Sequence, residues 1–282
     1  MTRILIPTEP ITSPFLNKPL EMYVFLDPLC SACWEMQPII RKLQVQYGQY
    51  FTIRTVLSTQ LSNLNTVCKM STEEKKKIQC EFPNIEHSVF PSIAVKAAEF
   101  QGRKAALRFF NKIQEYLFIK TKNVTSLSVL QEIASKVNID VEEFTQDFKS
   151  KECARSFQSD LSITSEMDVT TFPSIVFFNE NIEDEGIKVS GVYPYEIYVQ
   201  ILQEMLYEKP EVQEPPALEK LFDHFHSLTT NEIASYYNIS EQQAERELKK
   251  LLLLQEVERL VLPDVVIWRL KNNEEKLLTR RG

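Results

Sequence analysis

The chain has 282 residues, of which 43% are hydrophobic and 25% are charged, and its formal net charge is −7. This length suits one large or two ordinary domains, and the composition is typical of a globular protein. The negative charge argues against electrostatic binding to nucleic acid or to an anionic membrane. In addition, no apolar run approaches the ~20 residues that are needed to span a bilayer.

The N-terminal segment contains several prolines and lacks the apolar core of a signal peptide. We therefore interpret residues 1–19 as an extended arm and expect a cytoplasmic protein. Because that compartment is reducing, the five cysteines do not imply a disulfide framework.

The most informative motif is a CxxC pair, Cys30 and Cys33. It lies where a β-prone segment at 22–26 meets residues 34–48, whose apolar side chains recur at helical spacing. Unpaired backbone N–H groups and the helix dipole lower the pKa of a thiol at such a position. A second β-prone segment at 51–57 completes a βαβ unit. The pattern predicts an α/β protein of the thioredoxin superfamily.

The residues from about 58 to 167 form a predicted helical insertion. Its periodic runs cover 92–100, 103–118, 126–137 and 141–148, and Ser128 and Ser150 are candidate helix caps. Two strands follow, one directly after Pro173 and one at 187–192. A helix at 194–207, with Pro194 in its first turn, completes a predicted thioredoxin domain over 20–208.

Residues 209–216 form a predicted proline-rich linker. Beyond it we expect helices at 217–226, at 233–237 and from Ser240 to about 254, with capping boxes at Thr229–Glu232 and Ser240–Gln243. Two strands, at 257–262 and 265–270, complete the pattern. Three short helices and a two-stranded wing predict a winged-helix domain over 217–271, followed by a tail at 272–282.

The motifs together resemble one known family. They are Phe25-Leu26-Asp27-Pro28-Leu29-Cys30-Ser31-Ala32-Cys33-Trp34, then Thr171-Phe172-Pro173 before a strand, then the linker and the winged helix. This combination resembles the adaptor family called SpxH or YjbH, which has a DsbA-like thioredoxin fold, over nearly the whole chain after residue 19. The resemblance implies a non-enzymatic adaptor that binds the transcription regulator Spx and enhances its degradation by the ClpXP protease. The resemblance does not fix whether the adaptor contacts ClpX directly or indirectly.

The alternative is a cytosolic thiol–disulfide oxidoreductase. Cys30 would be the attacking thiolate, Cys33 the resolving thiol, and a cis Pro173 would place the backbone of Phe172 beside the sulfurs. Three features favour a vestigial or sensing CxxC instead. The dipeptide between the cysteines is Ser-Ala, Val24 stands where thioredoxin-like reductases bury an acid, and an oxidant in the cytosol would oppose the glutathione pool.

We expect no cofactor and no metal ion. Cys68, Cys80 and Cys153 are scattered, whereas zinc sites commonly use close pairs of ligands. His224 and His226 are two residues apart on one predicted helix, so they should point to different faces.

Nucleic acid and membrane are not expected partners. On the third helix of the predicted winged helix, the acids Glu241, Glu245 and Glu247 balance the bases Arg246, Lys249 and Lys250. The charge run at 73–77 and the acidic turn at 180–185 are interpreted as solvated surface. An edge strand of the thioredoxin sheet could bind an extended tail of the partner.

Overall fold

The computed structural model describes residues 18–59, 89–181, 185–261 and 266–271. Several predicted features lie outside these residues. They are the arm up to residue 17, Cys68, Cys80, the charge run at 73–77, residues 182–184 of the acidic turn, residues 262–265 at the junction of the last two predicted strands, and the tail at 272–282.

A four-stranded mixed sheet forms the centre of the N-terminal half. Its strands are β1 (Leu20–Leu26), β2 (Phe51–Leu57), β3 (Ser174–Asn179) and β4 (Ile187–Ser190), in the order β2-β1-β3-β4. β1 and β2 are parallel, and they are joined through helix α1 (Ser31–Tyr47). β3 pairs antiparallel with both β1 and β4. The predicted βαβ unit is therefore confirmed.

Both faces of β1 are covered by apolar side chains. Met22 and Val24 are buried in the main core, which also contains Leu43 of α1 and apolar residues of the insertion. On the opposite face, Phe25 packs with Val56 and with neighbouring valines. Because side chains alternate along a strand, a central strand with two covered faces has a nearly continuous apolar sequence.

The helical insertion contains five α-helices among the described residues. They are α2 (Phe90–Phe100), α3 (Arg103–Gln114), α4 (Leu127–Lys136), α5 (Val141–Phe148) and α6 (Lys151–Glu166), and a π-helical turn, Glu115–Ile119, extends α3. Ser150 caps α6 by accepting the Cys153 N–H at 3.0 Å, as predicted. Ser128 is not a cap, because α4 begins one residue after Ser126. Sequence periodicity locates a helix but not its first residue.

β4 ends two residues earlier than predicted, because Gly191 has a φ of 99° and turns the chain. Helix α7 (Tyr195–Leu206) follows, and Pro194 is its N-cap residue rather than part of its first turn.

The C-terminal residues form three helices and a second sheet. The elements are α8 (Leu218–Phe225), β5 (Ser227–Thr229), α9 (Thr230–Tyr237), α10 (Glu241–Leu253), β6 (Val257–Val261) and β7 (Val266–Leu270). Both predicted capping boxes are present. The sheet is antiparallel with the order β5-β7-β6, and β5 was not predicted because three residues are too few to show a period. The winged-helix assignment remains a prediction.

The prediction for the two histidines is wrong in one respect. Helix α8 ends at Phe225, and His226 follows with a φ of 63°. The His226 N–H donates to the Phe222 carbonyl at 2.8 Å and closes the helix. His226 is therefore a C-terminal cap residue and not a second helical histidine.

The two halves of the chain are in contact through α1. Val45 of α1 packs in the apolar cluster of the C-terminal half, beside buried side chains such as Phe222 and Trp268. The predicted linker is hydrogen-bonded to the same region. The Gln213 N–H donates to the Gln46 carbonyl at 2.8 Å, and the Glu211 N–H donates to the Tyr50 hydroxyl at 2.9 Å.

Candidate functional site

The CxxC pair lies at the N-terminus of α1. Cys30 is the N-cap residue and is partly exposed, whereas Cys33 in the first turn is completely buried. The Cys33 sulfur accepts a weak hydrogen bond from the Asp27 N–H at 3.5 Å. The two thiols therefore differ in access to solvent, as the attacking and resolving thiols of a disulfide exchanger do.

The pKa values of the two thiols are moved in opposite directions. A hydrogen bond from the Cys33 thiol is the largest cause that lowers the pKa of Cys30 to about 6, and the backbone N–H groups of Cys33 and Ala32 also contribute. Partial burial and the charge of Asp27 oppose this change. The same thiol–thiol hydrogen bond, together with burial, raises the pKa of Cys33. At neutral pH, Cys30 is therefore mainly a thiolate and Cys33 is a thiol.

The Phe172–Pro173 peptide bond is cis, in agreement with the prediction for Pro173. The Phe172 carbonyl oxygen lies 3.5 Å from the Cys30 sulfur, although 142 residues separate the two in the chain. The backbone before the cis proline is therefore beside the exposed sulfur.

The first strand has no acid at the position where thioredoxin-like reductases bury one. Val24 is 1% exposed and lies between β2 and β3 in the sheet. Asp27 is a turn residue, as predicted, because its carboxylate accepts the Leu29 N–H at 2.8 Å. Its negative charge disfavours the Cys30 thiolate.

An exposed apolar patch lies next to the cis proline. The Gly191 N–H donates to the Pro173 carbonyl at 2.8 Å, and the three following exposed apolar side chains are Val192, Tyr193 and Ile197. On one side β4 pairs with β3, and in the described part of the chain no strand pairs with its other side. This edge is a candidate surface for an extended peptide.

The remaining sequence candidates do not converge with the CxxC pair. Cys153 is buried in α6, where its thiol donates to the Ile93 carbonyl at 3.3 Å, and burial raises its pKa to about 12. Within the described ranges, no group of three or more His, Cys, Asp or Glu side chains could hold a metal ion.

On α10, the third helix of the C-terminal half, two cations are paired with acids of the same helix. Lys249 lies 3.2 Å from Glu245, and Lys250 lies 2.7 Å from Glu247. None of the described helices is both long and apolar enough to span a bilayer.

The joint between the two halves was not predicted from the sequence, and it consists of ion pairs between the N-terminal and C-terminal halves of the chain. Arg41 of α1 forms a buried ion pair of 3.0 Å with Glu232 of α9. Arg269 of β7 lies 2.6 Å from Glu115 in the π-helical turn. No sequence signal indicates these pairs, because their partners are more than 150 residues apart.

A cleft of about 1380 Å³ lies beside this joint. One wall comes from α1, α3 and the π-helical turn, and the other comes from the C-terminal helices and sheet. Trp34, the residue after Cys33, lines one part of the cleft.

Comparison with known proteins identifies the family. The chain matches the thioredoxin family over residues 23–200. A ClpXP adapter protein SpxH from Halalkalibacterium halodurans is 42% identical over 90% of this chain and 89% of its own length. The protein of the same name from Bacillus subtilis is 38% identical over 90% of each chain. The relative from Shouchella clausii, also so named, is 40% identical over 90% of this chain and 89% of its own length.

Solved structures similar to this chain include a putative protein disulfide isomerase from Nitrosomonas europaea. It is 18% identical, covers 68% of this chain and 97% of its own, and has a TM-score of 0.49. A probable DsbA oxidoreductase from Streptomyces coelicolor is 14% identical, covers 70% of this chain and 94% of its own, and has a TM-score of 0.49. From the family match and the curated relatives together, the chain belongs to the SpxH family of ClpXP adapter proteins and has their thioredoxin-like fold.

Proposed function

We propose that this protein is a cytoplasmic adaptor that binds the transcription regulator Spx and enhances its degradation by the ClpXP protease. One observation carries the proposal: relatives named ClpXP adapter protein SpxH align with nine-tenths of the chain at 38–42% identity. An adaptor requires a surface complementary to its target and no active site. By holding a flexible target segment in one conformation, it lowers the entropic cost of engagement by the protease.

The domain division is part of the proposal. Residues 20–208 form the thioredoxin domain, 209–216 the linker and 217–271 a winged-helix domain. The apolar cluster around Phe222 and Trp268 supports this division, because Val45 is its one described member from before residue 217. The hydrogen bonds from 211 and 213 to the end of α1 support a linker that is docked on the thioredoxin domain.

The edge of β4 is the surface that we propose for an extended tail of the target. Backbone pairing would supply affinity, and the exposed Val192, Tyr193 and Ile197 would supply selectivity. N-methylation of alternate amides in the target's tail should abolish binding, because it removes the donors that pair with the edge. Unchanged binding of the methylated tail would exclude β-strand addition.

Thiol–disulfide exchange is the second candidate function. The pKa of about 6 at Cys30 and the nearby Phe172 carbonyl favour it. Ser-Ala between the cysteines and Val24 in the first strand oppose it. We therefore propose that the protein is not primarily an enzyme, and that its CxxC pair senses oxidants or is a relic. We also propose that neither nucleic acid nor membrane is a partner, because the net charge of −7 disfavours binding to polyanions.

A reconstituted degradation assay tests the proposal. It contains ClpXP, ATP and Spx, with and without this protein, as wild type and as the Cys30→Ser/Cys33→Ser variant. We expect both forms to accelerate the loss of Spx. Acceleration by the wild type alone would show that the thiols take part in the mechanism. If neither form accelerates degradation, the adaptor proposal is wrong and the oxidoreductase becomes the better hypothesis.

A further inference from the structure

The cleft between the two halves is larger than a small-molecule site requires. Its volume is about 1380 Å³, whereas typical small-molecule sites have roughly 300–1,000 Å³. The Arg41–Glu232 and Arg269–Glu115 pairs connect its two walls. Because these pairs are largely buried, the walls are held in one arrangement and the cleft is preorganised.

Helix α3 carries a row of cations, of which Arg108 and Lys112 line one wall of the cleft. Lys104, Arg108 and Lys112 are spaced by four residues, so they lie along one face of α3. Lys112 is neutralised by Glu115 at 3.0 Å. Arg108 donates to the Val137 carbonyl at 3.2 Å, and no described carboxylate forms an ion pair with it. Burial lowers the pKa of Arg108, but an arginine stays charged at neutral pH, so a guanidinium without a paired carboxylate can bind an anion.

The end of α8 brings polar atoms to the same place. Burial lowers the pKa of His226, and the positive charges of Arg108 and Lys104 lower it further, so the cations face this histidine. A backbone hydrogen bond with His224 and the charge of the exposed Asp223 act in the opposite direction. Nδ1 of His226 and Oδ1 of Asn111 are buried and have no hydrogen-bond partner. The Asn111 oxygen is an acceptor, so it favours a hydrogen-bond donor such as a peptide N–H or water rather than a carboxylate.

The charges on the opposite wall are mostly paired. Glu245 lies 3.4 Å from Arg259 and Glu258 lies 2.9 Å from Arg269, whereas no described cation forms an ion pair with Glu241. A uniformly negative polymer such as nucleic acid would be repelled by Glu241 and by the net charge of −7. A peptide can place acidic side chains on one wall and neutral or basic side chains on the other.

We propose that the part of the cleft bounded by Arg108, Asn111 and His226 binds the acidic side chains of an extended peptide segment of a protein partner. The carboxylates form charge-assisted hydrogen bonds with the Arg108 guanidinium. Only the identity of the partner rests on the proposed adaptor function, since the recognition chemistry follows from the cleft itself.

The test uses the full-length protein and two fluorescent twelve-residue peptides. One contains four Glu among Gly and Ser, and the other has Gln in place of Glu. Binding is measured by fluorescence anisotropy for the wild type, for Arg108→Gln and for Arg155→Gln. Arg155 is the matched control, because it is exposed on α6 and does not line the cleft. Circular dichroism and thermal unfolding confirm that each variant is folded.

We expect the Glu peptide to bind more tightly than the Gln peptide and to be weakened by salt. Arg108→Gln should weaken the binding about tenfold, while Arg155→Gln should leave it unchanged. Equal binding of the two peptides, or equal binding by the two variants, would overturn the proposal. So would tighter binding of a twelve-nucleotide single-stranded DNA than of the Glu peptide. Because this assay contains neither Spx nor protease, it succeeds or fails independently of the degradation assay.

Discussion

The N-terminal end of α1 and its middle contact different parts of the molecule. At the N-terminal end, Cys30 is partly exposed, and neighbouring groups stabilise its thiolate. In the middle, Arg41 is buried and paired with Glu232 of the C-terminal half. The first region is open to solution, so its chemistry can change without unfolding the protein. The second region is closed by tertiary contacts, so a change there alters stability and the position of the C-terminal half.

The largest expected effect comes from Arg41→Ala. It leaves the Glu232 carboxylate buried beside Tyr236 without its cation, so the free energy of unfolding should fall by about 3–5 kcal/mol. Urea denaturation followed by tryptophan fluorescence measures the change. The exposed Arg155→Ala is the control and should change stability by less than about 0.5 kcal/mol. A loss below about 1 kcal/mol for Arg41→Ala would mean that this pair does not hold the halves together.

A smaller effect is expected for Arg269→Gln. Burial alone would raise the pKa of Glu115, but Lys112, Arg269 and Lys120 lower it below its ordinary value. A carboxylate with a lowered folded pKa adds stability above its unfolded pKa, and that stability is lost as the pH falls through the folded pKa. Without Arg269, the folded pKa rises and the unfolding free energy at pH 7 should fall by about 2 kcal/mol.

Acid unfolding of Arg269→Gln should therefore begin at a higher pH than that of the wild type. Circular dichroism along a pH titration from 7 to 2 measures the midpoint. Lys250→Gln is the matched control, because Lys250 pairs with Glu247 on an exposed surface. If both variants have the wild-type midpoint, the charge cluster around Glu115 is not what joins the two halves.

The smallest expected effect concerns the partly exposed Cys30 at the N-terminal end of α1. The rate of Cys30 alkylation by iodoacetamide should be half-maximal near pH 6, since the pKa of this thiol is about 6. Cys33→Ala removes the thiol that donates to Cys30, so the midpoint should move to higher pH. Peptide mapping by mass spectrometry identifies the modified cysteine, and the buried Cys153 is the internal reference. A midpoint above pH 8 in the wild type would exclude a stabilised thiolate at Cys30.

Local patterns were sufficient for much of the fold. The CxxC helix, the Ser150 cap and both capping boxes depend on residues within a few positions of each other, and the structure agrees with each prediction. The cis bond before Pro173 is also present, but it was expected from the oxidoreductase alternative and not from the local sequence. The errors occurred where a local pattern is weak. β5 is too short to show a period, and His226 continues an apolar helical pattern but adopts a left-handed conformation.

The candidate site also combines features that the sequence predicted with features that only the tertiary structure shows. Sequence alone placed two thiols at a helix N-terminus and an apolar strand after Phe172-Pro173, because backbone geometry and thiol chemistry are properties of short segments. Only the tertiary structure brought the Phe172 carbonyl to Cys30 and paired Arg41 with Glu232 across 191 residues. Only the tertiary structure formed the cleft whose basic wall includes Arg108. Side chains so distant in sequence have no common period or spacing, so packing of the complete chain decides which of them meet.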